Sequence, residues 1–180
     1  MEKKCFVALL MVVVMMCACW TGAVADEKRE TFTSGDYQYA LLDDGTIEIT
    51  KYNGKAKSLV IPDLLDGKKV TAMGKSAFYS CDSLTTVSIP DSVTSIGDRA
   101  FYSCDSLTSV SIPDSVEQIG TNPFAACSAL KTISVSPEHP YFTTIDGVLF
   151  RKADKALISY PAGIKSSTYT IPQGIAAIGD

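Results

Sequence analysis

A tandem repeat of 23 residues is the feature of this 180-residue chain that most limits its fold. Residues 70–92 (VTAMGKSAFYSCDSLTTVSIPDS) and 93–115 (VTSIGDRAFYSCDSLTSVSIPDS) are identical at 18 of 23 positions. Residues 116–138 keep seven of these positions: Val116, Ile119, Gly120, Phe124, Cys127, Leu130 and Ser134. The retained positions are mostly apolar, whereas polar positions such as Asp98, Arg99 and Asp105 change. This pattern predicts a solenoid whose retained residues face inward and whose variable residues face solvent.

Each repeat can be interpreted as one coil of such a solenoid. Apolar and hydroxylated residues alternate from Leu84 to Ile89, which indicates a β-strand, and Pro90 ends it because proline cannot donate to a sheet ladder. Gly97 is expected to allow a tight or left-handed corner, and Ala100-Phe101 to form a short helical turn. The period lies in the range of leucine-rich repeats. The expected fold is mostly β with short helical turns: a leucine-rich-repeat solenoid with a parallel sheet on one face and an amino-terminal β-hairpin cap.

The inward positions form the predicted core. They include one cysteine per coil, and these cysteines recur at 23-residue intervals. Side chains at equal spacing on stacked coils run parallel, so they neither converge on a metal ion nor bring their Cβ atoms into favourable disulfide geometry. We therefore expect a buried row of reduced thiols. The predicted core comprises Phe78, Phe101, Phe124, Cys81, Cys104, Cys127, Leu84, Leu107, Leu130, Ile96 and Ile119.

The flanking segments complete the predicted organisation. Residues 26–60 contain Asp43-Asp44-Gly45 and Asn53-Gly54, both interpreted as hairpin turns, and are expected to cap the coils of residues 61–135. Residues 136–170 suggest a hairpin inserted between coils, with its turn at residues 152–155. Residues 171–180 restart a repeat without completing it. Either the protein is truncated there, or its carboxyl edge is bare and favours self-association.

Residues 1–25 are predicted to be a cleaved signal peptide. Lys3 and Lys4 precede an apolar run, and Ala23-Val24-Ala25 provides the small-residue pattern of a cleavage site between Ala25 and Asp26. No membrane span is expected after cleavage. Two alternatives are a retained membrane anchor, since residues 5–25 carry no charge, and lipidation at Cys19. Each of the three predicts a secreted or cell-surface protein.

Composition and motifs argue against several classes of function. A net charge of −4 and a pI near 5.0 do not suit electrostatic binding to nucleic acid. The chain has one histidine, His139, in a turn-rich stretch where a solvated loop histidine is expected. Nucleophile elbows, phosphate loops, zinc helices and calcium loops are absent from the sequence. We therefore expect no enzyme activity, no cofactor and no metal site.

The string IPDSVTSIGDRAFYSCDSLTSVSIPDSV resembles the BspA-type (treponemal-type) leucine-rich repeat family of surface proteins. The likeness is strong over residues 59–135. The segments DGTIEITKYNG and YPAGIKSSTYTIPQGIAAIG are similar to the entry and continuation of its repeats. The resemblance implies an adhesin that binds matrix or plasma proteins or mediates contact between cells. It brings no catalytic residue.

The outward strand positions are the candidate binding surface. They form two predicted rows of hydroxyls on the face of the strands, and solenoids commonly bind partners on such extended surfaces. Small hydroxyl side chains also simply suit an exposed strand. Tyr79 and Tyr102, which follow core phenylalanines, are expected to be exposed edge contacts. The predicted rows comprise Thr86, Ser88, Ser109, Ser111, Thr132 and Ser134.

The leading functional hypothesis is a secreted or cell-surface module that binds an extracellular protein of a host or neighbouring cell through this strand face. A structural or self-assembling envelope scaffold is the first alternative. The second is the recognition part of a larger surface enzyme that is truncated at residue 180.

Overall fold

The computed structural model describes residues 29–165 and 168–178. The predicted signal peptide, its cleavage site and Cys19 lie outside the described residues. Within the described ranges no helix is formed, and so none is long and apolar enough to span a membrane. The strands are β1 (Thr31–Ser34), β2 (Tyr37–Leu41), β3 (Ile47–Tyr52), β4 (Ser58–Val60), β5 (Leu64–Leu65), β6 (Lys68–Met73), β7 (Thr86–Ser88), β8 (Ser95–Ile96), β9 (Ser109–Ile112), β10 (Gln118–Ile119), β11 (Thr132–Val135), β12 (Phe142–Ile145), β13 (Val148–Arg151), β14 (Ala156–Ser159) and β15 (Ala177–Ile178).

One wall of the solenoid is the predicted parallel sheet. Its strand order is β4-β7-β9-β11, with one strand from each successive coil. Equivalent repeat positions are paired, as in Val87 with Val110 and Val110 with Ile133. The strand of the first coil, β4, begins inside the segment that the sequence assigned to the cap. The fold is thus a leucine-rich-repeat solenoid, as the repeat predicted.

The opposite wall also pairs in parallel, which adds a second sheet to the one expected. Its coil strands are β6, β8 and β10, and β3 extends them towards the amino end. The corners between the walls are hydrogen-bonded to one another as well. The amide of Phe78 donates to the carbonyl of Ala100 (2.7 Å), and the amide of Phe101 donates to the carbonyl of Pro123 (2.8 Å). Stacking therefore satisfies backbone groups on three sides of each coil.

The corner expected to be a short helical turn consists of separate reverse turns. Ala100 N bonds to Gly97 O at 3.3 Å, and Tyr102 N bonds to Arg99 O at 3.0 Å. Arg99 and Ser103 have left-handed φ values of 52° and 59°, so the chain cannot continue a right-handed helix through them. The corner is a set of turns for this reason.

Of the tight or left-handed corner expected at Gly97, the structure shows a tight turn, in which the amide of Ala100 donates to the Gly97 carbonyl at 3.3 Å. The φ of Gly97 is not in the left-handed region. A Cβ atom there would lie 2.7 Å from the carbonyl carbon of Gly74 in the preceding coil. Likewise, a Cβ atom on Gly120 would lie 2.9 Å from the carbonyl carbon of Gly97. The glycine column at 74, 97 and 120 therefore allows neighbouring backbones to approach closely.

The core is a continuous column of apolar side chains along the solenoid. The rings of Tyr52, Phe78, Phe101 and Phe124 follow one another with centroid distances of 5.6, 4.7 and 5.6 Å. Further predicted core residues are buried around this column: Leu84, Leu107, Leu130, Ile96, Ile119, Cys104 and Cys127. The corner and strand residues of each coil thus pack on their equivalents in the next.

The amino-terminal strands are antiparallel and pack against the first coil. β1 pairs with β2 and β2 with β3, and the predicted turn at Asp44-Gly45 lies between β2 and β3. Asn53-Gly54 is not a hairpin turn, because β3 and β4 belong to different sheets. Gly54 lies so close to the Tyr52 ring and the Asp36 carboxylate that a side chain would overlap them. Its glycine serves close packing rather than a turn.

The segment after the coils is a three-stranded meander, β12–β14, rather than a single hairpin. The part of the expected hairpin that precedes its turn at residues 152–155 contains a second turn at Asp146-Gly147, where φ is 52° and 79°. The predicted turn at residues 152–155 joins β13 to β14, and β15 of the restarted repeat pairs in parallel with β14. The buried Phe142 and Leu149 join the meander to the core of the coils.

Candidate binding surface

Two rows of side chains run across the outer face of sheet β4-β7-β9-β11, which we call the strand face. The sheet register aligns Thr86, Ser109 and Thr132 in one row, and it aligns Ser88, Ser111 and Ser134 in the other. The structure thus brings all six predicted residues to one surface. Of these, Ser134 is half-buried and the other five are exposed.

Both rows extend one coil further than the sequence analysis predicted. Ser58 of β4 pairs with Thr86, and Val60 pairs with Ser88. Val60 is 73% exposed, which makes it the most exposed large hydrophobic residue among those described. The signal was present in the sequence, since Ser58-Leu59-Val60-Ile61-Pro62 repeats the pattern of the later strands. The sequence analysis nevertheless places residues 26–60 in the cap and begins the coils at residue 61.

Most of these hydroxyls are available for a partner. Thr86 Oγ1 bonds to Ser58 Oγ at 3.0 Å, and Ser134 Oγ donates weakly to the Val110 carbonyl at 3.4 Å. Within the described ranges, no side-chain partner is found for Ser88, Ser109, Ser111 or Thr132. These four can exchange bonds to water for bonds to a bound protein.

A groove of about 540 Å³ lies at the carboxyl ends of β7 and β9, next to the second row. Its lining combines apolar surface with hydroxyls and with the exposed carboxylates of Asp91 and Asp114, which recur at the same repeat position. Such a mixture of apolar and polar groups suits a side chain of a partner protein. The full lining is Val87, Ser88, Ile89, Asp91, Ser111, Ile112, Pro113, Asp114 and Ser136.

The predicted tyrosine edge is present but is only partly exposed. The rings of Tyr79 and Tyr102 stack in parallel, with centroids 5.6 Å apart and an interplanar angle of 1°. Tyr79 is 56% exposed, whereas Tyr102 is half-buried rather than exposed. Tyr102 is covered on its two faces by Tyr79 and by the guanidinium of Arg99, which lies 5.9 Å from the ring centroid.

The three repeat cysteines are free, but they are not equally buried. Cys104 and Cys127 are buried, and their thiols contact the carbonyls of Phe78 and Phe101 at 3.1 and 3.0 Å. Neighbouring thiols on both sides and burial raise the pKa of Cys104 well above its usual range. Cys81, predicted to be buried, is half-buried and lines a cavity of about 370 Å³ together with Gly54 and Ala56 of the preceding segment.

His139 is buried, contrary to the expectation of a solvated loop residue. Its Nε2 lies 3.1 Å from the Pro113 carbonyl, while Nδ1 accepts from the amides of Tyr141 (3.2 Å) and Phe142 (3.3 Å). Burial lowers the pKa of His139 below its usual value. No local sequence pattern indicates this burial, because the contact joins residues 26 positions apart.

The described residues contain no group of three or more histidine, cysteine or acidic side chains placed to hold a metal ion. The strand face combines an extended sheet, exposed hydroxyls and an open groove.

Among solved structures, the chain is similar to a leucine-rich cell surface protein from Faecalibacterium prausnitzii, with 25% identity over 84% of this chain and 67% of that one and a TM-score of 0.46. A leucine-rich repeat protein from Bacteroides capillosus is 28% identical over 59% of this chain and 98% of that one, with a TM-score of 0.46. The leucine-rich repeat protein of T. pallidum is 26% identical over 58% and 71%, with a TM-score of 0.35.

A search of curated proteins gave no match. In contrast, the family model of the BspA type leucine-rich repeat region matches residues 50–179 and includes six copies of the repeat. That range includes the coils, the meander and the restarted repeat. The chain therefore belongs to the BspA-type leucine-rich repeat family.

Proposed function

We propose that this protein is a secreted or cell-surface module that binds an extracellular protein, from host matrix, plasma or a neighbouring cell, through its strand face. The proposal includes a cleaved signal peptide and no catalytic role. The observation that carries it is the alignment of one hydroxyl row across four coils and a second across three, beside a groove. The relative from F. prausnitzii, described as a cell surface protein, supports the proposed location.

The geometry favours a protein partner over a small molecule. The rows continue from coil to coil, so contacts can be added along the length of the sheet, and the neighbouring groove is open rather than enclosed. Specific protein interfaces require about 800 Å² from each partner. An extended flat face can provide such an area, whereas a small ligand needs a concave pocket that surrounds it.

The test is binding of the purified protein to an immobilised panel of matrix and plasma proteins, repeated across a salt series. The variant Ser88→Lys/Ser109→Lys/Ser111→Lys places three long charged side chains on the strand face. Its matched control, Thr94→Lys/Gln118→Lys/Thr121→Lys, adds the same charge at exposed positions of the opposite wall and its corner. We expect saturable binding that the first variant loses and the control retains.

Circular dichroism of both variants establishes that the fold is intact. Equal binding by the strand-face variant and the unmodified protein would remove the strand face from the proposal. Loss of binding in both variants would indicate an effect of net charge rather than a specific surface.

A scaffold role is the second candidate, and one observation favours it. Within the described part of the chain, β4 pairs on one side only, and the same strand carries the exposed Val60. Unpaired sheet edges are templates for association with another chain. Sedimentation velocity over a concentration series is expected to show oligomers of the unmodified protein and a monomer for Val60→Lys. A monomeric unmodified protein at all concentrations would contradict this role.

A further inference from the structure

His139 joins the strand-face groove to the meander. Its ring bonds to the carbonyl of Pro113, a residue that lines the groove, and to two amides at the start of β12. The amide of His139 bonds in turn to the carbonyl of Ser136, another lining residue, at 3.0 Å. One side chain therefore connects the end of the coil strands to the meander that packs beyond them.

The two amide bonds to Nδ1 require the neutral ring. Because Nδ1 accepts from the amides of Tyr141 and Phe142, it cannot carry a proton, so Nε2 holds the ring proton and donates to Pro113. A second proton has only Nδ1 to occupy. Protonation would turn that acceptor into a donor that faces two other donors, and both amide bonds would be lost.

The surroundings offer limited compensation for a charged ring. Phe142 packs edge-on at 5.3 Å, and Tyr141 lies edge-on at 6.5 Å. The Pro113 carbonyl and Asp114, both from the coil side, favour the charged ring, whereas Lys152 of the β13–β14 turn opposes it and bonds to the His139 carbonyl. Glu138, on the same loop, is exposed. Burial is the largest influence and favours the neutral form.

We propose that His139 makes this junction acid-sensitive: protonation of its ring keeps the bond to Pro113 but breaks the two amide bonds to Nδ1, so that the start of β12 is released and the meander loosens next to the groove. Any effect of this opening on binding in the groove rests on the proposed function, because the groove belongs to the proposed binding surface. The opening itself is a property of the chain alone.

The direction of the pH effect follows from the position of the pKa. A histidine in an unfolded or opened segment titrates near 6.5, and the pKa in the closed state is lower. The opened state therefore binds more protons below about pH 6.5, and the junction loses stability as the pH falls through that value. Between pH 7.5 and 5.5 the opening constant should increase up to about tenfold, since one proton is taken up.

His139 is the only histidine in the sequence, so its ring can be followed without ambiguity when a tag lacking histidine is used. We would record the ring Cε1–H signal of the purified protein by NMR from pH 4.5 to 8, and hydrogen exchange at pH 7.5 and 5.5. The expected result is a pKa below 6.5 together with faster exchange, after correction for intrinsic rates, over residues 139–151 at pH 5.5. Exchange in β7 and β9 should stay unchanged.

The variant His139→Asn removes the titration. Its side-chain oxygen can accept near the position of Nδ1, so the meander should exchange equally at both pH values. Asp114→Asn leaves the histidine in place and should lower its pKa further, which keeps the test valid if His139→Asn fails to fold. A histidine pKa at or above 6.5, or exchange over residues 139–151 that does not depend on pH, would overturn the proposal.

None of these measurements needs a partner, so they are independent of the binding experiment. A protein that opens at low pH but binds nothing would retain the acid-sensitive junction and lose the proposed function. A protein that binds through the strand face but whose junction does not respond to pH would retain the proposed function and lose the acid-sensitive junction.

Discussion

Two backbone positions in each of the three 23-residue repeats of residues 70–138 adopt left-handed φ values without being glycine. They are Ser76, Arg99 and Asn122 at φ of 57°, 52° and 50°, and Ser80, Ser103 and Ala126 at 53°, 59° and 60°. Such conformations are unfavourable for residues with a Cβ atom, so stacking of the coils must stabilise them. A sequence pattern cannot reveal these positions, because serine, arginine and alanine carry no preference for them.

At the residue scale, Phe101→Ala should destabilise the protein far more than Tyr102→Ala. Phe101 is completely buried between Phe78 and Phe124, and its removal should cost about 3–5 kcal/mol of unfolding free energy. Tyr102 is half-buried, so its loss removes one ring stack and the contact with Arg99. Urea denaturation of both variants measures the difference, and equal losses would refute the inward and outward assignments.

Also at the residue scale, the repeat cysteines should differ in reactivity. Cys81 is half-buried beside a cavity, whereas Cys104 and Cys127 are fully buried. Brief alkylation of the folded protein, followed by peptide mass spectrometry, should label Cys81 first and leave the other two unmodified until denaturant is added. Equal labelling of the three residues would show that the corner opens under native conditions.

At the scale of the element, the coil is a unit that sets the separation from its neighbours by means of glycine. In Gly97→Ala the new methyl group would overlap the backbone of Gly74 and Lys75, which cannot move aside as a side chain could. We expect a loss of about 1–3 kcal/mol, the usual cost of overpacking. Lys75→Ala, at an exposed position of the same corner, is the control and should change stability by less than about 0.5 kcal/mol. Thermal or urea unfolding distinguishes them, and equal stability of the two variants would show that the coils can separate at no cost.

At the scale of the whole molecule, acid should act on the two ends before the central coils. The aspartates with lowered pKa values are Asp44 and Asp66 in the amino-terminal part and Asp154 in the meander. Their carboxylates accept bonds from Thr46, from Ser34 and Tyr39, and from Arg151, respectively. Since the pKa values in the folded state are lowered, the stability they provide is present above about pH 4 and is lost as the pH falls below it.

Hydrogen exchange at pH 3 should therefore show earlier loss of protection in β1–β3 and β12–β14 than in β7 and β9. This window lies below that of His139, so the two effects can be separated by pH. Simultaneous loss of protection along the whole chain would show that the protein unfolds as one cooperative unit at low pH.

The 23-residue repeat by itself determined the solenoid, the parallel sheet and the inward positions, because near-identical coils that cannot bury their own apolar face must stack on one another. It also located the six hydroxyls, since residues at the same repeat position fall into register. Only the tertiary structure decided what interrupts the period: the role of Val60 at the edge of the sheet, the division of the meander at Asp146-Gly147, the half-buried Cys81 and the burial of His139. Each of these depends on which distant segment lies opposite, and no local pattern contains that information.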